Sequence, residues 1–124
     1  MDGFKQVNDW WGHSAGDACL VAFGERLRNA LPQARLISRI GGDEFAVLYP
    51  PIDSRKETEA ALRQTIRNIL RPVPWNGSML PLRVSVGLAF VSAETAIDPQ
   101  KLFLAADEAL YAAKKSANTF IVCA

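Results

Sequence analysis

Residues 36–49 constrain this chain more than any other stretch. Leu36 to Ile40 and Phe45 to Tyr49 are short runs rich in β-formers, and Gly41-Gly42-Asp43-Glu44 lies between them. Glycine supplies the left-handed backbone that tight hairpin turns require, so the segment reads as a β-hairpin with two adjacent carboxylates at its tip. Pro50-Pro51 stops the second strand, because neither residue can donate to a ladder.

Around the hairpin the periodicity predicts helices. Leu20, Phe23, Leu27 and Leu31 recur at spacings of three and four, which marks an amphipathic helix over 14–31 that Pro32 ends. Ser54 with Glu57 forms a capping box ahead of Leu62, Ile66, Ile69 and Leu70, and that helix stops before Pro72. Asn76-Gly77 predicts a hairpin turn whose return strand runs from Leu80 to Val91, with Leu82, Val84, Val86, Leu88 and Phe90 on one face. Asp98-Pro99 is a helix start, Leu102, Ala106, Ala109, Leu110 and Ala113 point inward as far as about Lys114, and Thr119 to Cys123 forms a closing strand. The resulting order, αββα(β)βαβ, is an α+β sandwich with a largely antiparallel sheet.

With 124 residues the chain is expected to form one domain over 1–124. Fourteen basic against 13 acidic residues leave no whole-domain field for nucleic acid or an anionic membrane, so an anionic ligand must be held locally. No apolar run approaches the ~20 residues of a membrane-spanning helix. Cys19 and Cys123 lack metal or redox spacing and are expected as reduced thiols in a cytoplasmic protein.

Three clusters could carry chemistry. Asp43 and Glu44 either cap an ordinary solvated turn or bind Mg²⁺, which takes oxygen ligands and is commonly shared between carboxylates and phosphates. Gly41 and Gly42 would let a phosphate approach the backbone. The second cluster, Asp2 to Asp9 followed by Gly12-His13 and Gly16-Asp17, is either a polar loop capping the first helix or a base-reading site. In the latter, Asn8 and Asp17 offer an amide and a carboxylate, and a carboxylate can accept from the N1–H and N2–H₂ edge of guanine, which adenine cannot match. The third, Asp107 to Lys115, is either an amphipathic helix with cations in its last turn or a helix whose Lys114 reaches a phosphate.

Taken in order, Asp-Gly-Phe-Lys-Gln-Val-Asn-Asp (2–9), Gly-His-x-x-Gly-Asp (12–17), Arg-Ile-Gly-Gly-Asp-Glu-Phe (39–45), Val-Ser-Val-Gly-Leu-Ala (84–89) and Ala-Asp-Glu-Ala-Leu-Tyr-x-Ala-Lys (106–114) resemble the GGDEF family of diguanylate cyclases. The resemblance implies a fold related to the adenylyl cyclase palm, a ferredoxin-like sandwich whose antiparallel central sheet is surrounded by helices. It implies condensation of two GTP into cyclic di-GMP between two subunits in a transient homodimer, with Mg²⁺ or Mn²⁺. By position, Asp43 would ligate the metal with the backbone carbonyl of Met1, and Glu44 would assist at the reacting 3′-hydroxyl or help set the metal site. Asn8 and Asp17 would read guanine. Gly3, Phe4 and Lys5, with Gly41 and Gly42, would line the triphosphate, and Lys114 would hold its end. A bacterial signalling parent with a fused sensor or phosphodiesterase domain follows, one that could be membrane-anchored.

Three departures qualify that expectation. The family's other metal-binding aspartate falls before Met1, as does the first central strand, so the domain is expected to be incomplete at its N-terminus and inactive in isolation. Pro32-Gln33-Ala34-Arg35 stands where the family has the Arg-x-x-Asp of its product-inhibition site, and Ser116-Ala117-Asn118 replaces Gly-Arg-Asn. The alternative is a degenerate GTP-binding module that regulates a fused domain.

Overall fold

A computed structural model describes residues 4–91, 98–115 and 121–123. The chain forms two compact units, Met1–Arg83 and Val84–Ala124.

The first unit opens with α1 (Phe4–Trp11) and α2 (His13–Ala30). The expected polar loop over 4–9 is therefore a helix. Phe4, Val7, Asn8 and Trp11 fall at i, i+3, i+4 and i+7, and Val7 is buried in the packing of α1 on α2. Gly12 is a one-residue joint between the helices. Its amide donates to the Asn8 carbonyl at 2.8 Å, and its own carbonyl accepts from the Gly16 amide at 3.3 Å. At φ 91° and ψ 167° it occupies backbone space that is essentially restricted to glycine. Along α2 the predicted stripe holds: Leu20, Phe23 and Leu27 are buried, with Leu31 at the helix end.

Strands β1 (Leu36–Gly41) and β2 (Glu44–Leu48) form the expected antiparallel hairpin. Phe45 meets Phe23 edge-on, with ring centroids 5.1 Å apart, and this seats one face of the hairpin on α2. The cross-strand partners Leu36 and Leu48 lie on the other face and are 57% and 51% exposed. Helix α3 (Arg55–Ile69) begins at the predicted cap, where Ser54 Oγ accepts from the Glu57 amide at 3.2 Å. Its last carbonyl, and two in the segment that follows, are met by Arg26 of α2. The guanidinium donates to the carbonyls of Ile69 at 3.1 Å, Pro72 at 3.3 Å and Arg71, closing the corner where α3 leads into β3.

Strands β3 (Val73–Trp75) and β4 (Ser78–Leu80) form a second antiparallel hairpin. Its turn has the predicted chemistry, with Asn76 at φ 43° and Gly77 at φ 81°. The return strand is shorter than the expected 80–91, because β4 ends at Leu80 and the next residue, Pro81, has no N–H to extend the ladder.

In the second unit, β5 (Val86–Leu88), α4 (Pro99–Lys115) and β6 (Ile121–Cys123) form a strand–helix–strand unit with the strands parallel. The intervening helix is what permits parallel pairing. Asp98 caps α4, accepting from the Gln100 amide at 3.0 Å. Ala109 and Ala113 are buried as expected. Gly87 brings β5 against the α4 backbone, and a Cβ there would fall on the Ala106 carbonyl oxygen and the Leu110 amide. Helices with two antiparallel hairpins and this unit place the chain in the α+β class, as its periodicities imply.

Candidate functional site

Two features of the first unit carry the candidate chemistry, and α2 touches both. The first is the β1–β2 turn. Gly42 takes φ 51°, so the turn needs its glycine there, and Gly41 is exposed beside it. Asp43 is half-buried and Glu44 is exposed. The register shifts between Arg39 and Gly41, and the Arg39 Nε–H donates to the Gly42 carbonyl at 2.8 Å. The tip thus presents two neighbouring carboxylates on a turn held from its own strand.

The second feature is the α1–α2 contact. Phe4 and Asn8 face Gly16 across the helix pair. A Cβ on Gly16 would collide with Asn8 Oδ1, and would lie 2.9 Å from Asn8 Cγ and 3.0 Å from Phe4 Cε2. The absence of a side chain at 16 is what admits the Asn8 amide. Asn8 Oδ1 is buried and has no hydrogen-bond partner among the described residues. An acceptor stripped of water without a replacement costs about 1–3 kcal/mol, so a buried acceptor of this kind suits a ligand donor. Asp17, the next residue on α2, is exposed.

Of the remaining predicted residues, Lys5 is exposed on α1, and Lys114 is exposed in the last turn of α4 in the second unit. Met1 and Gly3 lie outside the described residues. Cys19 is buried in α2 as a free thiol, and burial pushes its pKa up, with partial opposition from the Arg26 charge. Gly16 and Arg39 are roles that the sequence reading did not assign. A small residue immediately before Asp17 was the available signal for the first.

The family model for "Diguanylate cyclase, GGDEF domain" matches residues 1–119. The chain belongs to the GGDEF family. Over 118 residues this GGDEF domain is 38% identical to the diguanylate cyclase TpbB of Pseudomonas aeruginosa, matching 94% of the chain and 27% of the relative. It is 37% identical over 126 residues to the diguanylate cyclase DgcM of Escherichia coli, covering 99% of the chain and 29% of that protein. The chain therefore spans under a third of the length of these curated relatives. Among solved structures, the isolated GGDEF domain of TpbB superposes with a TM-score of 0.88 at 36% identity, over 99% of this chain and 72% of that one. The P. aeruginosa diguanylate cyclase SiaD, solved with its activator SiaC, gives 0.83 at 33% identity, over 99% of this chain and 46% of SiaD.

The carboxylate pair can be tested against a metal. Asp43 and Glu44 offer hard oxygen donors on an accessible turn, the donor type that Mg²⁺ shares with substrate phosphates. Among the described residues no group of three or more acidic, histidine or cysteine side chains is assembled to hold an ion by itself. The donor set fits a metal shared with a phosphorylated ligand. Among the described residues no helix is long and apolar enough to cross a membrane.

Proposed function

We propose that this GGDEF domain works as the nucleotidyltransferase of a diguanylate cyclase, condensing two GTP into cyclic di-GMP across a transient homodimer. The observation that carries the reading is the orphaned acceptor at Asn8, buried against Gly16 and followed on α2 by Asp17. In this reading the Asp17 carboxylate takes the N1–H and N2–H₂ donors of guanine, and the Asn8 amide turns from Gly16 to bond the base beside it. Adenine offers no such pair of donors on that edge.

In this reading Asn8 and Asp17 orient the base, and Phe4 and Lys5 on α1, with Gly3 before them, line the phosphates. Gly41 and Gly42 allow close approach of the nucleotide to the turn. Asp43, with the Met1 carbonyl, would hold Mg²⁺ or Mn²⁺, and the ion would supply charge neutralisation on the phosphates. Glu44 assists at the 3′-hydroxyl, and Lys114 binds the terminal phosphates. The transfer needs positioning more than covalent participation by the protein, because each hydroxyl attacks the α-phosphate held by the other subunit.

The substitution of Ser116-Ala117-Asn118 for an arginine-bearing stretch favours a second reading, in which GTP is bound but not turned over and the domain regulates a fused partner. In either case the domain acts as a cytoplasmic module within a longer signalling protein, with a sensor or phosphodiesterase domain attached. Titration calorimetry with GTP and ATP tests the base site: GTP should bind with Mg²⁺ and ATP should not, and Asn8→Ala should weaken GTP. Incubating the full-length protein with GTP at high protein concentration then separates the two readings. Absence of cyclic product would sink the cyclase assignment.

A further inference from the structure

The geometry points to Arg39 as a positioning residue for the carboxylate turn, acting through the backbone and not through contact with nucleotide. This inference rests on the reading of Asp43 and Glu44 as the working carboxylates.

The Arg39 Nε–H donates to the Gly42 carbonyl at 2.8 Å, within the normal range for such a bond. That carbonyl belongs to the peptide joining Gly42 to Asp43. No described peptide bond is cis, so the Gly42 C=O and the Asp43 N–H point in opposite directions. Drawing the carbonyl toward Arg39 fixes the plane of this peptide, and with it the direction in which the Asp43 Cα–Cβ bond leaves the chain. Two features make such a hold necessary. Gly42 stands at φ 51°, where glycine has freedom on both sides of the map and the turn does not rigidify itself. The pairing register also slips between Arg39 and Gly41, so the ladder is interrupted on the strand entering the turn. Downstream of the turn, the seat is Phe45, which packs on Phe23. Upstream, the Arg39 side chain bridges the irregularity by bonding three residues ahead.

The use of Nε matters. A guanidinium that grips a carbonyl through its inner nitrogen is doing work that a neutral amide at the same distance along the side chain could also do. Arg39→Gln places its amide nitrogen as many bonds from Cα as Nε, without the charge. Arg39→Met matches the length and has no donor. Position 39 is exposed, so neither change removes a core contact.

The test has two arms. In the nucleotide-free chain, the HN–Hα scalar coupling of Asp43 should stay unaveraged in the unaltered protein and in Arg39→Gln, and collapse toward a coil average in Arg39→Met. In the full-length protein, Arg39→Met should lower kcat by roughly tenfold through misplacement of the carboxylates. It should also raise the Mg²⁺ concentration for half-maximal turnover while leaving the GTP KM unchanged. Arg39→Gln should retain within about threefold of the original rate, the size of effect expected when one neutral hydrogen bond replaces a charged one. Equal loss in Gln and Met variants, or a raised GTP KM in both, would show that the charge acts on nucleotide and would overturn the brace. An unchanged Asp43 coupling in Arg39→Met would overturn it too. Lack of turnover in the unaltered protein would instead sink the cyclase reading, and the coupling arm would then decide the brace alone.

Discussion

Gly16→Ala tests the contact on which the proposed base site depends. In an exposed helix interior, alanine for glycine stabilises by about 1 kcal/mol. At position 16 the new Cβ would fall on Asn8 Oδ1 and lie 3.0 Å from Phe4 Cε2, inside the buried α1–α2 contact. Relieving such overpacking typically costs about 1–3 kcal/mol. The helix gain offsets part of this, leaving a net loss of roughly 0–2 kcal/mol. Stability alone is therefore a weak discriminator, and a cycle with Asn8→Ala is sharper. Removing the amide frees the space, so Gly16→Ala made in the Asn8→Ala background should recover its helix gain of about 1 kcal/mol. The coupling between the two sites should be about 1–3 kcal/mol, read from urea unfolding midpoints at constant slope. GTP affinity should fall about fivefold or more in Gly16→Ala as the displaced amide loses one bond of ~1 kcal/mol. Stabilisation by a full ~1 kcal/mol in the single variant, with no coupling and unchanged GTP binding, would refute the close approach of Asn8 to Gly16.

Other outcomes follow from the same geometry. Asp43→Asn and Glu44→Gln should each abolish cyclic product in the full-length protein, and Glu44→Gln should leave the unfolding free energy from urea titration within about 0.5 kcal/mol, since Glu44 is exposed on the hairpin tip. Gly87→Ala should cost about 3 kcal/mol or more in thermal or urea unfolding, because the atoms it strikes are backbone of α4 and cannot rotate away. Burial raises the Cys19 pKa, so the folded state keeps a proton that the unfolded chain sheds at alkaline pH. Stability should therefore decline as pH rises above the ordinary thiol range, and the decline should be shallower in Cys19→Ala. Added cyclic di-GMP should not slow turnover, because Pro32 and Arg35 replace the Arg-x-x-Asp pair and Gln33 Oε1 is engaged by the Tyr49 hydroxyl at 3.1 Å. Inhibition that is lost on altering 32–35 would contradict this.

The elements that were legible in sequence are those whose signal is local. The 36–49 hairpin, the Ser54 cap, the Asn76-Gly77 turn and the apolar stripe of α2 each follow from residues a few positions apart, and each forms where expected. Helix α1 was hidden because its polar residues also suit a loop, and its apolar side is satisfied only by packing on α2. The overlong 80–91 strand came from reading alternation across Pro81 without weighing its missing N–H. At the candidate site, residue types in register singled out Asp43 and Glu44, and Asn8 and Asp17, as candidates. The vacancy that Gly16 provides and the bond from Arg39 to Gly42 depend on contacts that no one-dimensional pattern encodes.

The parallel pairing of β5 with β6 bears on how the second unit comes into being. The β1–β2 and β3–β4 hairpins can close as soon as their own short segments exist, at little loop-closure cost. The β5–β6 ladder joins Val86 to Ile121, with all of α4 between them. Non-local parallel contacts of this kind form late and slowly. During synthesis, β5 and α4 must wait with an open edge until residues 121–123 have left the ribosome, so completion of this unit is set by translation as well as by sequence.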